Sequence, residues 1–224
     1  RILVVGDSTA EATGGGLVRW AAANPDVAQV TIRAKPGCGF VQGGIRVFPE
    51  GEQEISPECA TYVAEELPAA VAELQPDVVV AMTTAWDVID QRFDGTGPEA
   101  PTDPAYRARI GEDLPAATDA VLAAGAPTVV WIAEPTVNPI WAAVISPQED
   151  PARHGVLHDA MRSIAAEHPD RVAVADLAWW IDEAGWADDR DARPDGVHLD
   201  ASAAERVATD WLGPLVVDEA LRGR

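Results

Sequence analysis

The chain has 224 residues, of which 47% are hydrophobic and 24% are charged. This length is enough for one well-buried domain, and the composition is typical of a globular protein rather than a disordered one. Its 16 Lys and Arg residues stand against 37 Asp and Glu residues, which gives a formal net charge of −21. An acidic chain repels phosphate backbones and anionic lipid headgroups, which argues against a nucleic-acid partner and leaves neutral partners such as sugars or esters.

The ends of the chain carry no recognisable targeting signal. No apolar stretch approaches the ~20 residues of a membrane-spanning helix, and the first residues lack a signal-peptide pattern. Residue 1 nevertheless lies directly against the first predicted strand. We therefore expect residues 1–224 to form a single domain cut from a longer chain.

Short apolar runs predict five strands, over residues 2–5, 27–32, 77–82, 128–133 and 171–175. Three of these runs contain continuous blocks rich in β-branched residues: ILVV, VVV and TVVWI. Strands that are apolar on both faces are typical of a parallel sheet covered by helices on both sides.

Helical periodicity predicts helices over residues 17–23, 62–74, 105–124 and 151–168, and a last helix after Asp200. We expect Pro68, Pro115 and Pro214 to kink or disturb them. Strand and helix alternate five times, which predicts an α/β protein: a three-layer α/β/α sandwich around a five-stranded, parallel, doubly wound sheet. Such sheets carry their sites outside the carboxyl ends of the strands.

Cys38 and Cys59 bracket a Gly- and Pro-containing segment with little helical or strand periodicity. A disulfide between them would hold this long loop, contributing about 3 kcal/mol by the chain-entropy estimate, and would suit an oxidising compartment. Two unpaired thiols in a cytosolic protein are the alternative.

Ser8 follows the first strand in the sequence VVGDST. The start of the next helix leaves backbone N–H groups unpaired there, and these could stabilise an oxyanion formed by attack of the hydroxyl. A helix cap or a turn is the alternative, and Asp7 is expected to hydrogen-bond local backbone.

The sequence RPDGVHLD, before the last helix, places Asp195 three residues before His198. A serine hydroxyl needs a base near pH 7, and a carboxylate holds the imidazole in the right tautomer. An Asp-x-x-His pair alone is more often a loop pair or a cap. Together with Gly-Asp-Ser on the first strand, it predicts a catalytic triad of Ser8, His198 and Asp195.

These blocks resemble those of SGNH hydrolases, also called GDSL-type esterases and lipases, and the likeness spans nearly the whole chain. VVGDST is similar to the first block of the family and DGVHLD to the last. KPGCGF resembles the second block, whose glycine N–H would join that of Ser8 in an oxyanion hole; Gly39 is the expected donor and Gly37 the alternative. The resemblance implies acyl chemistry on serine with no metal or organic cofactor.

The third family block, Gly-x-Asn-Asp, is not matched by the sequence TTAWD. Aligning Asp87 with the family aspartate puts Trp86 in place of the Asn donor and Thr84 in place of the glycine. Losing one such donor costs about 3 kcal/mol of transition-state stabilisation unless Thr83, Thr84 or the Trp86 indole replaces it. Trp86 and Asp87 are also expected to bind substrate.

The tryptophan at this place and the two cysteines are similar to extracytoplasmic SGNH domains fused to integral-membrane acyltransferases. This likeness implies a disulfide, a location outside the cytoplasm and a covalently linked transmembrane acyltransferase partner. It also implies transfer of an acyl group, expected to be acetyl, from an acyl donor to a hydroxyl of a glycan or glycolipid. An esterase that hydrolyses O-acyl esters and a non-catalytic carbohydrate-binding domain are the alternatives.

Other polar and aromatic residues are assigned no catalytic role. His154, His158 and His168 are expected to be solvated on one helix rather than to bind a metal. Trp20 and Trp211 are expected in the core. The tryptophans near loops, where indoles could stack on sugar rings, are Trp86, Trp141, Trp179, Trp180 and Trp186.

Overall fold

The computed structural model describes residues 1–93, 95, 97–142 and 144–222. Its strands, in chain order, are β1 (Ile2–Gly6), β2 (Val30–Ala34), β3 (Ile45–Phe48), β4 (Gly51–Glu54), β5 (Val78–Met82), β6 (Asp90–Arg92), β7 (Pro98–Glu99), β8 (Val129–Ala133) and β9 (Val172–Asp176). Five of them form the main sheet, in the order β2-β1-β5-β8-β9. Every pairing in this sheet is parallel, which confirms the predicted doubly wound α/β architecture.

The α-helices are α1 (Ser8–Ala23), α2 (Pro57–Thr61), α3 (Leu67–Leu74), α4 (Pro104–Ala123), α5 (Pro151–Glu167), α6 (Leu177–Glu183), α7 (Ala201–Val207) and α8 (Gly213–Arg222). Two π-helical turns, Tyr62–Glu66 and Ala208–Leu212, join α2 to α3 and α7 to α8, and the 3-10 turn Pro147–Glu149 precedes α5. Within the described ranges, no helix is both long enough and apolar enough to span a bilayer.

The main sheet separates two apolar cores. Leu3 and Val5 of β1 point into the core that α3, α4 and α5 cover. Ile2 and Val4, on the opposite face, point into the core that α1 and α7 cover. Successive side chains of a strand point to opposite faces of the sheet. A strand that is apolar at every position therefore contributes to the core on each side of the sheet.

Several helix boundaries differ from the sequence prediction. Helix α1 begins at Ser8 rather than at residue 17, because Asp7 caps it and three glycines within it are accommodated. The helix expected from residue 62 begins at Pro57, behind the Ser56 cap, and passes Pro68 through a π-helical turn. Helix α4 continues through Pro115, and β2 begins three residues later than predicted, at Val30.

A second, antiparallel sheet, with the order β4-β3-β6-β7, was not predicted. Its strands have two to four residues, and β4 is exposed at every position, so no apolar alternation marks them. Strands β3 and β4 lie between Cys38 and Cys59, which form a buried disulfide with a Cα–Cα distance of 5.1 Å. The predicted disulfide is therefore confirmed, and it closes the segment that contains this hairpin.

Helices α1 and α7 pack against each other at unusually short distance. A Cβ atom on Gly16 of α1 would lie only 2.1 Å from the carbonyl oxygen of Ala204 in α7. Helix α1 begins at Ser8, and α7 begins three residues after His198. The backbone contact at Gly16 therefore fixes the distance between the two chain segments that carry these side chains.

We expect Gly16→Ala to lower the free energy of unfolding by about 1–3 kcal/mol, because the added methyl group forces two backbones apart. Gly15→Ala is the matched control, since a Cβ there meets only the Arg19 side chain, at 3.7 Å. That control should keep or raise stability, because alanine is the better helix former. Urea denaturation of both variants measures the difference, and equal stabilities would contradict the proposed close contact.

Candidate active site

Ser8 and His198 lie side by side although 190 residues separate them. The Ser8 Oγ atom is 2.7 Å from His198 Nε2, and His198 Nδ1 is 2.6 Å from Asp195 Oδ2. Because a carboxylate only accepts hydrogen bonds, the proton of the neutral ring belongs on Nδ1, which leaves Nε2 to accept from the Ser8 hydroxyl. This is the geometry that a serine nucleophile and its base require.

The turn between β1 and α1 presents Ser8 at the carboxyl edge of the main sheet. Gly6 has φ +136°, and a Cβ there would lie 1.9 Å from the Met82 carbonyl oxygen, so only glycine fits. Asp7 caps α1 by accepting from Thr9 N and Thr9 Oγ1, at 2.8 and 2.7 Å, and it also accepts from Thr84 N at 3.4 Å. Asp7 thus binds backbone, and its complete burial raises its pKa.

Asp195 is held by the turn that it starts. Its Oδ1 accepts from Val197 N at 2.9 Å and from His198 N at 2.8 Å. Partial burial raises the pKa of Asp195, but the hydrogen bonds from the His198 ring and from these two N–H groups outweigh burial and bring it below its usual value. Asp195 therefore stays a carboxylate and keeps the His198 ring oriented.

Arg193 fixes the loop that carries this pair. Its side chain is 1% exposed and donates to the carbonyl oxygens of Thr136, Ala187 and Gly196, at 2.8 to 2.9 Å. The sequence analysis did not select Arg193, although it stands two residues before Asp195. A buried guanidinium that binds three carbonyl groups can hold an irregular loop that lacks the regular backbone hydrogen bonds of a helix or sheet.

The loop after β2 places Gly39 against Asp87. A Cβ on Gly39 would lie 2.0 Å from Asp87 Oδ1, so only glycine allows this contact. The two Asp87 oxygens accept from Phe40 N at 2.7 Å and Val41 N at 3.1 Å. In the described structure, Ser8 N and Gly39 N donate no hydrogen bond and remain free for an oxyanion. Gly37 lies at a positive-φ turn, two residues outside this contact.

Asp87, for which the sequence predicts a contact with substrate, accepts hydrogen bonds from the chain itself. Its side chain is completely buried, and it accepts a third hydrogen bond from Thr83 Oγ1 at 2.6 Å. Burial raises the pKa of Asp87 to about 6, while these hydrogen bonds and the charge of Arg46 oppose the rise. Its role is to hold the loop that contains Gly39.

The polar groups of the third block already make hydrogen bonds within the chain, except for the Trp86 indole N–H. Thr83 donates to Asp87, and Thr84 N donates to Asp7. Thr84 Oγ1 lies 3.4 Å from His154 Nδ1. Trp86 is half-buried, and the Arg46 guanidinium lies 4.5 Å above the centre of its ring.

His154 is buried, so the expectation of a solvated histidine was wrong. It is 2% exposed, and its Nε2 donates to the Gln148 carbonyl oxygen at 2.8 Å. Burial lowers the pKa of His154 to about 4, which leaves the ring neutral. Gln148 Nε2 in turn donates to the Ala85 carbonyl oxygen. The start of α5 is thereby tied to the third block.

Among the described residues, no group of three His, Cys, Asp or Glu side chains could hold a metal.

The tryptophans divide between core and surface. Trp20 is buried in the core, and Trp211 is partly buried against the same core, stacked on Trp180. Trp180 and Trp186 pack edge to face on that core as well, and both are partly buried. Trp141 is 60% exposed, and the residue before it, Ile140, donates through its N–H to the Asp195 carbonyl oxygen at 3.1 Å. An exposed indole therefore lies on a segment bonded to the His198 loop.

Glu134, at the end of β8, is a buried acid that the sequence did not reveal. It is 4% exposed, and its Oε1 atom has no hydrogen-bond partner in the described part of the chain. Burial and the nearby Asp7 carboxylate raise its pKa to about 8, against the opposing charge of Arg193 and a hydrogen bond with the Thr9 side chain. Glu134 is thus largely protonated at neutral pH.

Comparison with known proteins identifies the family. A model of the SGNH domain, described as fused to AT3 domains, matches residues 1–212. No curated protein matches the chain.

Solved structures share the fold at low identity. A provisionally assigned acylhydrolase from Bacteroides fragilis has a TM-score of 0.65 and 14% identity, over 98% of this chain and 88% of its own. A carbohydrate acetylesterase from Sinorhizobium meliloti has a TM-score of 0.58 and 16% identity, over 98% and 97%. The periplasmic domain of a lipopolysaccharide acetyltransferase from Salmonella ser. Paratyphi A has a TM-score of 0.57 and 11% identity, over 96% and 83%.

We expect Glu134→Gln to remove a pH dependence of stability. The pKa of Glu134 is raised to about 8, so the folded protein keeps a proton that the unfolded chain loses near pH 4.5. Its contribution to stability is complete below pH 4.5 and declines by up to about 1.4 kcal/mol per pH unit until about pH 8.

Glutamine imitates the protonated acid, so the variant should match the wild type near pH 4 and exceed it at pH 8. Urea denaturation at several pH values measures this difference. Parallel stability curves for the two proteins would show that Glu134 titrates normally.

Proposed function

We propose that this chain, which belongs to the family of SGNH domains fused to AT3 domains, transfers an O-acyl group through an acyl-serine intermediate to a hydroxyl of a glycan or glycolipid. The observation that carries the proposal is the chain of contacts from Ser8 Oγ to His198 Nε2, at 2.7 Å, and from His198 Nδ1 to Asp195 Oδ2, at 2.6 Å. All three side chains are partly exposed, so a substrate can reach them.

In the first step, His198 Nε2 takes the Ser8 proton while Oγ attacks the carbonyl carbon of the acyl donor. The carbonyl oxygen gains the negative charge and accepts from Ser8 N and Gly39 N, which are free in the described structure. Collapse of the intermediate expels the donor's alcohol or thiol, which takes the proton from His198. The Asp195 carboxylate stabilises the imidazolium between these events.

In the second step, the acceptor hydroxyl gives its proton to His198 Nε2 and attacks the acyl-serine carbon. The same two N–H groups stabilise the second oxyanion. Ser8 Oγ then leaves and recovers its proton from His198, which restores the enzyme. Every proton thus moves through one imidazole, and the reaction needs no group outside the chain other than donor and acceptor.

Three observations favour transfer, outside the cytoplasm, from a membrane-bound donor domain. The family is named for fusion to AT3 domains, which would supply the acyl group from the membrane. One structural neighbour is the periplasmic domain of a lipopolysaccharide acetyltransferase, which supports acetyl as the acyl group and a glycolipid as acceptor. The disulfide of Cys38 and Cys59 is suited to an oxidising compartment.

Hydrolysis of a carbohydrate ester is the second candidate. It is favoured by the carbohydrate acetylesterase neighbour and by the partial exposure of Ser8 and His198, which admits water to the acyl-enzyme. The two candidates share the first step and differ only in what receives the acyl group.

We expect a fluorophosphonate to label wild-type protein on Ser8 and to leave Ser8→Ala unlabelled, because only the serine paired with His198 is nucleophilic. Intact-protein mass spectrometry measures the adduct. Ser202, which donates to Asp200 at 2.5 Å, gives the control variant Ser202→Ala, and this variant should label normally. Absence of an adduct on wild type, with sugar affinity unchanged in Ser8→Ala, would instead indicate a non-catalytic carbohydrate-binding domain.

We expect the acyl-enzyme to transfer its acyl group to sugar hydroxyls in preference to water. With 4-nitrophenyl acetate as donor, adding an acceptor oligosaccharide should speed nitrophenol release several-fold and produce acetylated sugar. Mass spectrometry of the sugar and absorbance of nitrophenol measure the two products. Brisk release that ignores the sugar, with acetate as the sole product, would assign the protein as an esterase.

A further inference from the structure

The Arg46 side chain is a buried cation without a hydrogen bond. It lies on β3 and is 3% exposed, and its guanidinium makes no hydrogen bond or ion pair with any described residue. Its Nε atom is sealed from solvent and unpaired. A guanidinium carries five N–H donors, and leaving them unused in a protein interior is unfavourable. Such a group is able to donate to a bound molecule.

The Arg46 guanidinium lies over the Trp86 ring, and the charges of two carboxylates that are already engaged favour its charged form. Its centre lies 4.5 Å above the ring of Trp86, and burial lowers its pKa while the charges of Asp87 and Asp7 raise it. Asp87 is occupied by two backbone N–H groups and a hydroxyl, and Asp7 by groups of Thr9 and Thr84. Both carboxylates balance the charge of Arg46 without using its donors.

These two carboxylates also mark the two sides of the oxyanion hole. Asp7 immediately precedes Ser8, and Asp87 touches the Cα of Gly39. Arg46 lies over the ring of Trp86, the residue before Asp87, so its guanidinium lies on the third-block side of the Gly39 loop. We propose that an Nη–H group of Arg46 donates the third hydrogen bond to the oxyanion, with the Trp86 ring as the platform that holds the guanidinium there. The proposal rests on the acyl transfer proposed above.

The alternatives in the third block fit less well. Thr83 and the Thr84 backbone N–H already donate to carboxylates. Nδ1 of His154 must accept, since its Nε2 donates to Gln148, so the Thr84 hydroxyl donates to that ring. Among these side chains, Arg46 brings a full positive charge, and charge-assisted donors are the stronger ones.

The exposed area of Arg46 is small. With 3% of the residue exposed, the surface left for a bound molecule is of the order of a single atom. Gln91, its neighbour across the β3–β6 pairing, has an unpaired Oε1 that is suited to the sealed Nε atom. That pairing would still leave both Nη groups for the oxyanion.

Steady-state kinetics of Arg46→Met with 4-nitrophenyl acetate tests the proposal. We expect kcat to fall about 100-fold or more, with KM changed less than threefold, because the donor acts in the transition state. Arg46→Lys should keep part of the rate. Arg92→Met, which removes a cation from the neighbouring strand β6, is the control and should keep its kcat. A kcat within threefold of wild type in Arg46→Met would overturn the assignment.

Rescue and a ring variant separate a donor from a structural group. In Arg46→Ala, guanidinium ions below the denaturing range should restore kcat saturably, whereas ammonium should not; a folded variant without rescue would contradict the proposal. Trp86→Phe keeps a ring face but loses the indole N–H, so it should lose far less rate than Arg46→Met. Equal losses would assign the donor to the indole instead.

A pH profile completes the test. If Arg46 is a donor, Arg46→Met should lower kcat by the same factor at every pH. If Arg46 only balances the charge of Asp87, its loss should shift the acid limb of the kcat profile to higher pH, and kcat should return to the wild-type value at high pH. The second result would overturn the donor role. Failure of the proposed function itself looks different, because wild-type protein would then take up no fluorophosphonate.

Discussion

The short approach of α1 and α7 at Gly16 is the constraint on which the site depends. Parallel strands deliver the chain to one sheet edge, but they do not determine how far apart the amino ends of α1 and α7 lie. Here the absence of a side chain at Gly16 lets the two backbones touch. Ser8 and His198 lie at or just before the amino ends of these helices, so this contact brings them close together. A contact of 2.7 Å across 190 residues is therefore the product of helix packing rather than of local sequence.

Charge balance is the second organising feature, because the site collects every buried acid and guanidinium that the structure describes. Asp7, Asp87 and Glu134 are 0 to 4% exposed, and Arg46 and Arg193 are 1 to 3% exposed. Glu134 is largely protonated at neutral pH, and burial also raises the pKa of Asp7 and Asp87. A protein of net charge −21 thus buries its acids together with guanidinium groups.

The sequence was enough to predict the parallel sheet and the residues that meet at its edge. Continuous β-branched runs indicate buried strands, and two short motifs indicate the residues that follow them. The sequence was insufficient for β3, β4, β6 and β7, whose pairing partners are distant and whose strands are short and polar. His154 could not be judged from its helix either, since its burial depends on Gln148 and the 3-10 turn before α5. The part played by Asp87 could not be read from the sequence either, because it depends on contacts with the backbone of Phe40 and Val41, nearly fifty residues away.

The disulfide has a consequence for how this site can diversify. It joins the residue before Gly39 to the start of α2, so the intervening hairpin is anchored at both ends independently of its own sequence. Substitutions in β3 and β4 away from Arg46 can therefore change this hairpin without displacing the glycine. The covalent anchor makes the rest of the hairpin an exchangeable module, open to evolution or grafting, on a scaffold in which Ser8, His198 and Asp195 come from other segments.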